Sequence, residues 1–254
     1  MGTSRLPRPV NLPEVSFSDD GEVRHLHLGT PWIQGSMRIK APFEIELEYV
    51  QRMMAWLLFR APETVAGLHA MQLGLGAGAI TKFCFKKLKM RTTAIELNPQ
   101  VLQACKTWFK LPDDADRLEV LLADAAREIQ QPRHQGAVDA LQVDLYDHEA
   151  AAPVLDSEAF YADCRRLLAD EGVMTVNLFG RDASYERSVE KIAAAFGADA
   201  VWAFRPTREG NTVVLAQRQA GRPGRPLLVR RAEAIATRWG LPAPKWLRLF
   251  KPCA

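Results

Sequence analysis

A chain of 254 residues, 48% of them hydrophobic, is long enough for one large domain or a core with small additions, and disorder is excluded. Its 33 basic and 30 acidic residues leave a formal charge of +3, too near balance to indicate a nucleic-acid partner. Cys84, Cys105, Cys164 and Cys253 are widely spaced with no C-x-x-C pair, which argues against a zinc knuckle or a disulfide framework and for a reduced, cytoplasmic setting. No apolar run has the length of a signal peptide or membrane span, so no membrane partner is expected.

Residues 1–42 read as a small N-terminal β region. Val15–Phe17 and the alternating Glu22–Leu28 flank a turn at Asp19-Asp-Gly21, and Trp32–Ile39 supplies a third strand. His25 and His27 share one face of their strand, but no third ligand lies near, and no metal site is expected. A helix follows from about Glu44 to Arg60, ended by Pro62.

Residues 43–218 then alternate strand and helix, the pattern of a mostly parallel sheet covered on both faces. Strands are expected near Ala70–Leu75, Thr92–Leu97, Arg117–Leu122, Val138–Tyr146, Val173–Phe179, Ala200–Phe204 and Thr212–Gln217. Helices fill the gaps at about Ala79–Lys89, Pro99–Phe109, Ala125–Gln130, Phe160–Ala169 and Ser184–Phe196. The last two strands are joined by the short Arg205–Asn211 link, so they pair antiparallel. The expected class is therefore α/β: a seven-stranded, doubly wound, Rossmann-like sheet, similar to the class I S-adenosylmethionine-dependent methyltransferases, with a β-hairpin region in front. Residues 219–254 read as a basic linker and a helix near Leu228–Trp239, with Arg218 just before them and Arg222, Arg225, Arg230 and Arg231 in their first part.

Met71-Gln-Leu-Gly-Leu-Gly-Ala-Gly-Ala79 joins a strand to a helix. Without a Cβ, Gly74, Gly76 and Gly78 allow a sharp turn and let a ligand touch main-chain N–H groups at the helix start. Glu96 falls 22 positions after Gly74, at the next strand tip, where a carboxylate accepts hydrogen bonds from ribose hydroxyls. Asp124 closes the third strand, placed to accept from an adenine amino group, and Asp144 the fourth, facing the reacting end of the cofactor. A lone Asp at a strand end is commonly a helix cap. Three such tips after one glycine turn make a nucleoside pocket.

These residues resemble the polyamine aminopropyltransferases, of which spermidine synthase is the type, over roughly Val15–Arg218. Trp32-Ile-Gln34 is similar to the family's Gln-containing strand, and Glu46-Leu-Glu-Tyr49 to its Glu-Phe-x-Tyr signature. The glycine turn, Glu96, Asp124 and an Asp-x-x-Asp pair at Asp144 and Asp147 follow in family order. The resemblance implies that Gln34, Glu96 and Asp124 hold a nucleoside, with S-adenosylmethionine or its decarboxylated form as cofactor. It implies that Tyr49, Asp144 and Asp147 serve the reaction with a small-molecule acceptor, and that the protein is a homodimer.

Three positions depart from that pattern. Ala77 stands where the family carries an acid in the glycine turn, His148–Pro153 replaces a Pro-x-Gly-Pro stretch, and Arg208 follows Pro206-Thr where the family has Tyr. The decarboxylated donor ends in an ammonium that wants a negative partner, whereas intact S-adenosylmethionine keeps a carboxylate that a helix N-terminus favours. A cation at position 208 would repel a polyamine. The leading expectation is therefore methyl transfer from S-adenosylmethionine to an unidentified nucleophile. Polyamine aminopropyl transfer is the alternative, a non-catalytic binding protein the next. A nicotinamide dehydrogenase also fits the G-x-G-x-x-A spacing from Gly74, but not the strands in front of it.

Overall fold

The computed structural model describes residues 12–145, 155–179 and 183–253. Three antiparallel strands come first, β1 (Val15–Asp20), β2 (Val23–Leu28) and β3 (Gly35–Arg38), paired in that order. The expected hairpin is present, with the third strand confined to four residues. Leu26 and Met37 are its buried apolar side chains and pack with Leu75, Val101 and Phe109 beneath the glycine turn.

The expected helix over residues 44–60 divides. Helix α1 (Glu48–Arg52) gives way to tighter 3₁₀ turns over Met53–Phe59. Met53 to Leu58 are buried all round, so tertiary contacts set the backbone here. The Thr175 hydroxyl donates to the Met53 carbonyl at 2.9 Å and Arg231 to the Leu58 carbonyl at 2.9 Å, which takes two carbonyls out of a regular helical ladder.

The central layer follows as β4 (His69–Leu73), α2 (Ala79–Lys82), β5 (Arg91–Glu96), α3 (Pro99–Trp108), β6 (Leu118–Leu122), α4 (Ala125–Glu128) and β7 (Val138–Val143). After it come α5 (Glu158–Leu167), β8 (Leu168–Phe179), α6 (Ala183–Phe196), β9 (Val201–Phe204), β10 (Asn211–Gln217), α7 (Arg225–Trp239), α8 (Ala243–Trp246) and β11 (Phe250–Pro252). Caps are legible: Asn98 accepts from the Gln100 N–H with Pro99 at the first turn of α3, and Ser157 accepts from the Phe160 N–H at the start of α5.

The strands run β11-β9-β10-β8-β7-β4-β5-β6. β7, β4, β5, β6 and β8 are parallel neighbours, while β10 pairs antiparallel with β8 and with β9. That is one strand more than the seven read from the sequence. The extra strand is β11, only three residues long, which pairs with β9 and puts Phe250 against Phe204 and Trp202. It carries no periodic signal of its own. Two apolar layers cover the sheet, one from residues 53–59, α2, α7 and α8, the other from α5 and α6. Chain order reverses between β4 and β7, so the crevice at their C-terminal ends is the topological switch point where ligands bind in open α/β sheets. No helix among the described residues is long and apolar enough to cross a membrane.

Candidate active site

A cavity of about 1040 Å³ opens at that switch point. Its wall collects Gln34 from the approach to β3, Tyr49 from α1, Gly74 and Gly76 from the turn after β4, and the three acidic tips Glu96, Asp124 and Asp144. The expected pocket residues are thus brought together, with two exceptions. Gly78 faces away, its open side toward Leu111 and Lys82, and serves the turn as the left-handed cap of α2 at φ +66°. Asp147 lies outside the described residues.

Glu96 is clamped by the backbone. Its two carboxylate oxygens accept from the Leu75 N–H at 2.9 Å and the Asn98 N–H at 2.8 Å, so one strand tip is tied to the glycine turn and to the cap of α3. Burial pushes this carboxyl up from its ordinary range, and the N–H groups of Asn98, Leu75 and Leu97 oppose the rise. Each oxygen keeps lone-pair capacity for a further donor. Asp124 caps α4, accepting from the Ala126 N–H at 2.9 Å, and stays half-exposed on the cavity wall. The second oxygen lies 3.8 Å from Arg127 Nε.

Asp144 occupies the floor. Asn177 on β8 donates to one carboxylate oxygen at 3.0 Å and the Tyr49 hydroxyl to the other at 3.3 Å. Burial drives the Asp144 carboxyl upward, moderated by these two donors. Asn211 on β10 donates to the Asn177 carbonyl oxygen at 3.2 Å, extending the chain of polar groups across the sheet. Neither asparagine was among the residues singled out from the sequence. The available signal was a polar residue, Asn177, inside the apolar run Val173–Phe179.

Ala77 is 2% exposed, and its backbone N lies 2.6 Å from where a Cβ on Gly35 would sit. The turn therefore packs directly on β3. Arg208 is not among the described residues that line the cavity, which corrects the expectation of a cation in the pocket; its neighbour Glu209 lines it instead. The described lining holds six carboxylates, from Glu46, Glu48, Glu96, Asp124, Asp144 and Glu209, and no Lys, Arg or His. Between them the wall is apolar, with Trp32 60% and Leu97 50% exposed at the rim.

A glycine-turned parallel sheet with acidic strand tips and an antiparallel last hairpin defines the nucleoside-binding transferase class of the methyltransferases and spermidine synthases. Solved structures agree on the fold. A probable spermidine synthase from Corynebacterium glutamicum superposes with a TM-score of 0.72 at 17% identity over 94% of this chain and 87% of that one. Human methyltransferase-like protein 13 in complex with SAH gives 0.68 at 23% identity over 77% and 93%. No family model matches the chain. Among curated proteins, the polyamine aminopropyltransferase of Neisseria meningitidis is 33% identical over 237 residues, 92% of this chain and 88% of its own. That of Chromobacterium violaceum is 32% identical over 247 residues, covering 96% and 92%. The chain belongs to the polyamine aminopropyltransferase family.

Proposed function

We propose that this protein transfers an aminopropyl group from decarboxylated S-adenosylmethionine to a cationic amine. The observation that carries the reading is the charge of the cavity, six carboxylates and no basic residue in the described lining. A wall of that sign attracts ammonium groups and repels anions. Family membership points the same way, and it outweighs the methyl-transfer expectation, which leaned on a cation at Arg208 that the cavity does not contain.

The donor fits the residues present. Gly74 and Gly76 open the turn to its nucleoside, Glu96 offers lone pairs to the ribose, Gln34 and Asp124 face the same space, and the apolar wall suits an adenine ring. The donor supplies an activated sulfonium carbon. The reacting ammonium passes one proton to the Asp144 carboxylate, the freed lone pair attacks that carbon, and the carbon–sulfur bond breaks with its electron pair returning to sulfur, which leaves the product nitrogen protonated. Asp144 orients the amine and accepts its hydrogen bond, while Tyr49 and Asn177 fix the carboxylate. Alignment supplies most of the rate in such a displacement, so a strong base is unnecessary.

Ala77 favours a second reading, methyl transfer from intact S-adenosylmethionine, because the glycine turn offers no acid for the aminopropyl ammonium. One assay separates the two. The purified protein is given 1,4-diaminobutane with either nucleoside donor, and the thioether product is measured. Methylthioadenosine from the decarboxylated donor supports aminopropyl transfer; S-adenosylhomocysteine from the intact donor, with none of the former, overturns it.

A further inference from the structure

A second, smaller cavity shares Tyr49 and Asp144 with the first. It holds about 20 Å³ between the glycine turn, α1 and α2, with Gln72 of β4 on its polar side and Val50 of α1 on its apolar side. Gln72 is 4% exposed, on a strand buried along its whole length, where an amide without a partner is costly. Thr81 of α2 donates to its Oε1, and its Nε2 has no partner among the described residues. Each Asp144 oxygen accepts one hydrogen bond, from Asn177 or from Tyr49, and keeps lone-pair capacity for another donor. A buried donor and a buried acceptor thus meet at one small space. A water needs about 10–15 Å³ and two to four polar partners, so this space suits one water and not two.

We infer that the smaller cavity is the site of one ordered water, which accepts a hydrogen bond from Gln72 and donates one to Asp144, and that Gln72 is thereby a positioning residue for the Asp144 carboxylate. The water is a third donor to that carboxylate, from the side opposite the substrates. It favours the ionised form and fixes the oxygens toward the larger cavity, where the amine is received. Among the described residues, Tyr49 of α1 is the titratable group in contact with Asp144, Asn177 of β8 is neutral, and Glu48 of α1 is paired with Arg52. The glycine turn and α2 bring no ionisable side chain to the smaller cavity. The kinetic consequence rests on the amine-transfer reading above; the water does not.

The test titrates the Asp144 carboxyl by carbon-13 NMR, its signal assigned by its loss in Asp144→Asn, in the wild type, Gln72→Met and Val50→Ile. The first variant removes the donor at nearly constant volume, and the second keeps Gln72 but adds a methylene to the apolar side of the cavity. Both should raise the titration midpoint by about one pH unit, as loss of one hydrogen bond to a charged group predicts. Unchanged midpoints overturn the inference, and so does a shift in only one variant, because both expel the same water. If neither variant folds, a high-resolution crystal structure of the wild type decides: density within hydrogen-bond reach of Gln72 Nε2 and Asp144 sustains the site, and its absence overturns it. With decarboxylated donor and 1,4-diaminobutane, the acid limb of kcat/KM should follow the NMR midpoint in each variant. If the wild type consumes no amine, the transfer reading fails by itself, while the NMR midpoints still judge the water.

Discussion

The main-chain oxygen of Asp144 lies 2.4 Å from where a Cβ on Gly74 would stand. The two residues follow adjacent parallel strands at the switch point, β4 and β7, so the glycine turn and the Asp144 carboxylate are locked to one another through backbone. Gly74 holds φ +83°, and any side chain there meets both a torsional and a steric penalty. Gly74→Ala is therefore expected to cost about 1–3 kcal/mol of stability. Chemical denaturation checks the cost, and calorimetry should show donor and amine affinities falling together; loss of one without the other contradicts the coupling.

Glu96→Ala removes a carboxylate that already spans Leu75 and Asn98. Loss of a charge-assisted acceptor for the ribose is worth roughly 1.5–3 kcal/mol, or about ten- to a hundredfold in donor affinity. Unchanged affinity by titration calorimetry would remove Glu96 from the pocket assignment.

The pH dependence follows from Asp144. Its carboxyl is raised by burial, and it must be ionised to hold a cationic amine, so kcat/KM falls on the acid side at a pH above the ordinary carboxylate range. Tyr49 and Asn177 stabilise the ionised form. Tyr49→Phe should therefore move that acid limb to still higher pH, while a purely structural role for the hydroxyl would lower activity at all pH values alike. The pH profile of each protein distinguishes these outcomes.

Lys82 is buried and donates from Nζ to the Phe109 carbonyl at 2.6 Å. Burial lowers its pKa from 10.5 to about 8. Between those values the unfolded chain binds the proton and the folded one does not, so stability rises with pH across this window and is lost as pH falls toward 8. Lys82→Met should abolish that rise relative to the wild type in denaturant titrations, and an identical pH slope in both proteins would count against the assignment.

Arg208 is exposed and outside the cavity lining. Arg208→Ala is expected to leave the KM for 1,4-diaminobutane within twofold of the wild type. A large fall in KM would restore the idea of a repelling cation at the acceptor end.

Much of this was legible in the sequence because it follows from local rules. The glycine turn, the three acidic tips and the period of each strand fixed where a pocket forms, and Glu96 and Asp144 line it as expected. What escaped depends on contacts between distant segments. The 3₁₀ turns at Met53–Phe59 answer to Thr175 and Arg231, β11 exists because Phe250 finds Trp202 and Phe204, and the side of the turn that Glu209 rather than Arg208 presents is set by the Thr207–Asn211 closure. At position 77 the sequence shows the missing charge, whereas the packing on Gly35 is a matter of shape.

The short β11 strand reaches further than its size suggests. Leu249, just before it, accepts from the Arg205 N–H at 3.0 Å, and Arg205 begins the segment that carries Glu209. Arg52 stacks on Phe204 and donates to the Arg205 carbonyl from the other side. The Glu209 side of the cavity is thus moored to residues made about forty positions later, whereas Glu96 is tied to Leu75 and Asn98 and Asp124 to Ala126, all in nearer stretches of chain. During synthesis the Glu96 and Asp124 tips can therefore take up their ties while the wall at Glu209 still waits for its anchor.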